Sequence, residues 1–137
     1  MPTQIIRIAA LLSGLAVLPA LAQDLPGFTY AEACRIDGTS AILRMVYQGS
    51  ECETTDALEP RVELDGTGAM VVIATETTAH VCTMQIVPNY VTKTIGIAPD
   101  TSELDITLLN PQFEAQGQET VAVGIDGVDC SAKGETF

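Results

Sequence analysis

The chain is punctuated at strand-length intervals. Apolar and polar residues alternate through 41–48, 91–97, 104–108 and 121–125, and Gly, Pro, Asn or Asp residues stand between the runs. A period of two places successive side chains on opposite faces of an extended strand. Downstream of residue 22 no long run keeps the helical period, so a parallel α/β architecture is excluded. The pattern predicts an all-β domain: an antiparallel β-sandwich, Ig-like or similar, of about seven or eight strands, or a small barrel. The resemblance to Ig domains is architectural only, because the chain has no Trp to pack on an antibody-type disulfide.

Thr29 and Glu32 stand at capping-box spacing with Phe28 placed as a staple, so the segment through Ile36 suits either a short helical turn or a first strand. Asp37-Gly38 predicts a hairpin turn, since both residues tolerate positive φ. Beyond it, Ala41, Leu43, Met45 and Tyr47 form an apolar face against the mixed face of Ile42, Arg44, Val46 and Gln48. Residues 49–60 read as a loop fastened by Cys52. Val62 and Leu64 begin a strand that the turn at 65–68 returns into 69–75, a run apolar on both faces and therefore expected at the centre of a sheet. His80, Cys82, Met84 and Ile86 share one face of the next strand, which Pro88-Asn89 is expected to end. Residues 112–118 read as a short strand or a connecting loop.

Residues 1–22 have the form of a signal peptide: Arg7 precedes an apolar stretch, and Ala20-Leu21-Ala22 supplies the small residues of a cleavage site. Cleavage after Ala22 leaves 23–137 as a single β-rich domain. The apolar stretch is broken by Pro19 and falls short of the roughly 20 residues a membrane span needs, so no stable anchor is expected after cleavage. The compact signal points to a periplasmic or secreted protein with disulfides. Neither Asn89 nor Asn110 begins an N-x-S/T acceptor, so glycosylation lends no support to a eukaryotic secreted origin.

The formal charge is −12, from eighteen acidic residues against six basic ones. Such a surface repels phosphate, which disfavours nucleic acid and anionic headgroups and favours cations or basic protein patches. The four cysteines, Cys34, Cys52, Cys82 and Cys130, form an even set that predicts two disulfides in an exported domain. Three connectivities are open; Cys34 with Cys52 would enclose a short local loop, and Cys82 with Cys130 would tie the last segment to a central strand. No C-x-x-C is present for a redox centre or zinc knuckle.

Candidate chemistry is sparse. His80, Cys82 and Met84, with Met45 or Met70, offer imidazole and sulfur ligands suited to copper(I), but only with Cys82 as a thiolate, which a disulfide forbids. Glu51, Glu53, Asp56 and Glu59, or Glu63 with Asp65, offer hard oxygen ligands for calcium, and Asp126 with Asp129 a weaker set, yet none matches the EF-hand pattern. One histidine, no G-x-S-x-G, no P-loop, no dinucleotide fingerprint and no H-E-x-x-H leave no catalytic residues and no cofactor to expect. Aromatics are few, and Tyr90 is the best candidate for an exposed ring. The expected function is therefore a non-catalytic module that binds another envelope or extracellular protein. The alternatives are a metal-handling protein for copper or calcium, and a secreted enzyme inhibitor presenting the loop pinned by Cys52.

Overall fold

A computed structural model describes residues 25, 27–82 and 85–125. It is all-β, with β1 (Tyr30–Asp37), β2 (Ser40–Ser50), β3 (Glu53–Thr54), β4 (Arg61–Asp65), β5 (Gly68–Ala74), β6 (Glu76–Thr77), β7 (Ile86–Gly96), β8 (Glu103–Leu109) and β9 (Ala115–Ile125). Seven strands form one sheet in the order β4-β5-β8-β9-β1-β2-β7, and β3 pairs with β6 in a ribbon of its own. The segment after Thr29 is thus a strand and not a helical turn. Its pairing with β2 supplies the hydrogen bonds that a cap would otherwise provide.

The antiparallel sandwich is replaced by a mixed sheet that curls like a half-barrel. Three antiparallel units, β1-β2-β7, β4-β5 and β8-β9, are joined by two parallel seams, β1 with β9 and β5 with β8. Alternation along one strand carries no information about the direction of its neighbour, which is why these seams were not foreseen. The concave face encloses one core. Leu43 and Met45 of β2, Val71 and Ile73 of β5, Val91 of β7, and Leu104, Ile106 and Leu108 of β8 are all buried there.

The run apolar on both faces, β5, does lie inside the sheet between β4 and β8. Only one of its faces is buried, however, and Met70 on the other is 47% exposed. Arg35 closes one end of the curl, donating from Nη1 to the carbonyls of Asp37 and Gly38 and from Nη2 to those of Ala98 and Thr101.

Two of the expected breaks fall elsewhere in the structure. Pro88-Asn89 does not end a strand; β7 runs through both residues in unbroken register with β2. β7 lies at the edge of the sheet, where a proline's missing N–H can face away from the ladder at no cost. Conversely, His80 to Cys82 are not strand, and β7 starts only at Ile86. The expected loop over 49–60 is shortened as well, because β2 continues to Ser50 and β3 follows.

The cysteine pairing is also corrected. Among the described residues one disulfide is present, Cys52–Cys82, with Cα atoms 5.9 Å apart. The expected Cys34–Cys52 bridge is excluded by the β1–β2 hairpin, and the expected Cys82–Cys130 bridge by the bond of Cys82 to Cys52. Cys34 sits opposite Ile42, and β2 carries the chain from Ile42 to Ser50, roughly 26 Å away, before Cys52 is reached. A disulfide spans only about 4.4–6.8 Å between Cα atoms. Cys34 is not a free thiol. Cys130, Met84, Asp126, Asp129 and the signal segment lie outside the described residues.

Candidate functional site

Polar side chains converge at the end of the half-barrel where β2 meets β3. Alternation points Tyr47 of β2 inward, and its ring is buried. Its hydroxyl donates to Glu53 Oε2 at 3.3 Å, and Gln116 Nε2 of β9 donates to the same oxygen at 3.4 Å. Asn89 Nδ2 of β7 donates to the Ser50 carbonyl at 3.2 Å. Gly49 makes this convergence possible. A Cβ there would stand 2.6 Å from Tyr47 Cε2, 3.0 Å from Asn89 Nδ2 and 3.1 Å from Glu53 Oε2.

Beside this cluster lies a cavity of about 150 Å³, lined by Phe28, Tyr47 and Leu108 with Thr29, Gln48 and Gln116. Ligand pockets run from about 300 to 1,000 Å³, so the space suits a small ring or a few waters and no larger substrate. Glu119 stands on the inner face of β9 nearby, and its Oε2 accepts the Phe28 N–H at 2.9 Å.

Burial pushes the Tyr47 phenol well above its ordinary pKa of 10.0, and the Glu53 charge and hydrogen bond add to the effect. A phenol held protonated is neither base nor nucleophile near neutrality. Its role is to fasten the β3 segment to the barrel end. Because the folded-state pKa is raised, the unfolded chain loses the proton first. Stability is therefore full below about pH 10 and falls as pH rises from there toward the folded value. An alkaline titration followed by phenolate absorbance should show one late phenol that ionises together with unfolding. Tyr47→Phe should remove that phase; its persistence in the variant would contradict the assignment.

The candidate metal ligands are largely dispersed. His80 is exposed in a bend, Met45 is buried inside the core, and Met70 faces outward from β5. Glu63 and Asp65 are exposed on β4, and Asp56 and Glu59 are exposed in the loop between β3 and β4. Among the described residues the one group of three metal-competent ligand atoms within 4.8 Å is Glu51 with Cys52 and Cys82. Both sulfurs are consumed by the disulfide, so this trio offers one carboxylate and no thiolate. Glu53 is turned inward to Tyr47 and Gln116 and away from the solvated loop assumed for it.

Sequence reasoning finds no signal for Gly49, Asn89 or Gln116 as site residues, since their importance comes from strands distant in the chain. It also missed Phe113, at the β8–β9 turn. Asn110 organises that turn: its N–H donates to the Glu114 carbonyl at 2.7 Å, its carbonyl accepts the Phe113 N–H at 2.9 Å, and its Oδ1 accepts the N–H groups of Gln112 and Glu114, each at 2.9 Å. Phe113 is held at φ 62° with its side chain 68% exposed. Tyr90, expected at a turn, lies within β7 and is 61% exposed. Comparison with known proteins found no matching family model, no matching curated protein and no matching solved structure.

Proposed function

We propose that this chain is an exported, non-catalytic, disulfide-braced β domain that binds another protein of the cell envelope or extracellular space. Phe113 carries the reading. A bulky side chain in the left-handed region costs about 1–2 kcal/mol relative to an ordinary conformation, and glycine is the residue that relieves it. Here the strained residue is a phenylalanine whose ring reaches solvent, so the strain is not returned as core packing. The Asn110 network fixes the backbone beneath the ring, and a preorganised aromatic loses little entropy on docking. Such strain is found where a surface is shaped for recognition. Glu114, next to Phe113 in the chain, and the charge of −12 favour an apolar pocket with a basic rim. The Cys52–Cys82 bridge agrees with an oxidising compartment.

Two measurements test this. Phe113→Gly should leave the domain more stable by about 0.5–1 kcal/mol in urea unfolding, as positive φ becomes free of strain and the unfolded chain gains some entropy. A photo-crosslinking phenylalanine analogue at position 113, in cells exporting the protein, should form a discrete adduct with one other protein. The same analogue at Asp65, on the β4–β5 turn, should form none. Absence of a discrete adduct at 113 would overturn the proposal.

A further inference from the structure

Cys34 is held in a disulfide. Cys52 and Cys82 are bonded to each other, and the chain has one further cysteine, Cys130. Elimination leaves Cys130 as the partner of Cys34.

The end of β9 is placed for that bond. β9 runs parallel to β1, with Gly124 opposite Cys34 and Ile125 opposite Arg35, so the chain leaves β9 roughly 5 Å to one side of Cys34. Cys130 follows five residues later, a stretch that can span at most about 18 Å. Asp126 and Gly127 are residue types that tight reversals use, and the length allows one. Alternation fixes which face of the sheet is reached. Ala33 belongs to the core, so Cys34 points to the convex side.

The convex side of β1, β2 and β7 carries an apolar seat. Val46 is 7% exposed yet lies outside the core, because its neighbours Met45 and Tyr47 are the residues of β2 that point inward. Register sets Tyr30 of β1 on one side of Val46 and Tyr90 of β7 on the other. None of Tyr30, Glu32, Cys34 and Tyr90 on this side is without a partner. Between the seat and Cys34 stands the cross-strand pair of Glu32 and Arg44. The residues after Cys130 match that order: Lys133 and Glu135 supply one charge of each sign, and Phe137 is the one large apolar side chain. Tyr30 lies four residues before Cys34 on β1, roughly 14 Å away, and residues 131–137 can extend about 23 Å.

We infer that Cys34 and Cys130 form a second disulfide, and that the segment 131–137 it tethers covers the convex side of β1 and β2 with the Phe137 ring on Val46. In forming the bond the two thiols give up two protons and two electrons to a disulfide oxidant by thiol–disulfide exchange, and one S–S bond results. The bond braces a weak point of the fold. The sheet order joins β4-β5-β8-β9 to β1-β2-β7 through the β1–β9 seam, which has three residue pairs in register, whereas the other parallel seam has seven. The inference does not rest on Phe113.

The first test is a peptide map of the unreduced protein, both exported from cells and refolded with a mixture of oxidised and reduced glutathione. A fragment linking Cys34 to Cys130 is expected in both. Cys34 found as a thiol, or joined to any other cysteine, would overturn the pairing. A linked fragment after refolding but not from cells upholds the pairing and removes the export reading alone. The second test is NMR of the same chain, in which the Phe137 ring protons should show Overhauser contacts to the Val46 methyl groups. Phe137→Ala should shift those methyl resonances downfield as the ring current is lost, with the rest of the spectrum unchanged. Absence of the contacts would overturn the placement of the segment. Replacing Cys34 and Cys130 together by Ser should speed hydrogen exchange across the β1–β9 seam more than across the β5–β8 seam. Equal acceleration at the two seams would overturn the bracing role. If that variant does not fold, the map and the Phe137→Ala spectrum still decide.

Discussion

Leu43→Ala is expected to destabilise the domain by about 3–4 kcal/mol, read as a lower urea midpoint with an unchanged slope. Leu43 is fully buried on the concave face of β2. Its ladder neighbours on that face are Ala33 of β1 and Lys93 of β7. Ala33 is too short to fill the space that a truncated leucine leaves. Lys93 is tethered to the Thr55 carbonyl, so it cannot collapse into the gap without leaving its amine unpaired. The cavity therefore persists, and the loss lies well inside the range of about 2–5 kcal/mol for such truncations. Met70→Ala removes a side chain of similar size from the convex face of β5, where 47% of it already meets solvent. That change should cost less than about 1 kcal/mol. Equal losses at the two positions would mean that the inward and outward faces have been assigned wrongly.

Replacing Cys52 and Cys82 together by Ser should cost about 3–4 kcal/mol, since the bridge closes a sequence separation of 30. The local effect should be larger than the global one suggests. β3 and β6 share only the pairs Glu53–Thr77 and Thr54–Glu76. Beyond them, the two segments are joined by Thr78, whose N–H and hydroxyl both donate to the Cys52 carbonyl, at 2.7 and 3.1 Å. So short a ribbon has little stability of its own once the covalent tie is gone. Hydrogen exchange should accelerate at Thr78 and through the β3–β6 ribbon, while the amides of β8 keep their protection relative to global unfolding. A peptide map of the unreduced protein should contain a Cys52–Cys82 linked fragment. A Cys34–Cys52 fragment would contradict both the pairing and the β1–β2 hairpin that forbids it.

That hairpin shows how much could have been inferred without coordinates. Asp37-Gly38 was legible as a turn, and the alternation from Ala41 to Gln48 was legible as a strand. Together they carry Cys52 to the end of β2 remote from Cys34, so strand geometry forbids the bridge that a short loop favours. Pro88 misled for a different reason. Proline breaks a central strand and is harmless at an edge, and position in the sheet order is a property of the whole fold.

The candidate site was less legible than the fold. Glu53 drew notice as a possible calcium ligand in a solvated loop, whereas Tyr47 and Gln116 hold it at the barrel end. Its neighbours come from β2, β7 and β9, and no local pattern links residues so far apart in the chain. At Phe113, Asn110-Pro111 marked a turn correctly, but a phenylalanine carries no sign that its backbone must adopt positive φ.

By itself the sequence determined the class of structure and the inward face of the clearly alternating strands. Alternation is a local property, and burying one face satisfies it wherever the strand is placed, so Ala41, Leu43, Leu104, Ile106 and Leu108 are buried as their spacing required. The tertiary structure alone decided which strand lies beside which. Two parallel seams, a curled sheet in place of a sandwich, and the place of β7 at the end of the strand order among the described residues follow from pairings between distant segments. Parallel and antiparallel neighbours satisfy the same backbone donors and acceptors, and the choice is made by how well all the inner faces pack into one core.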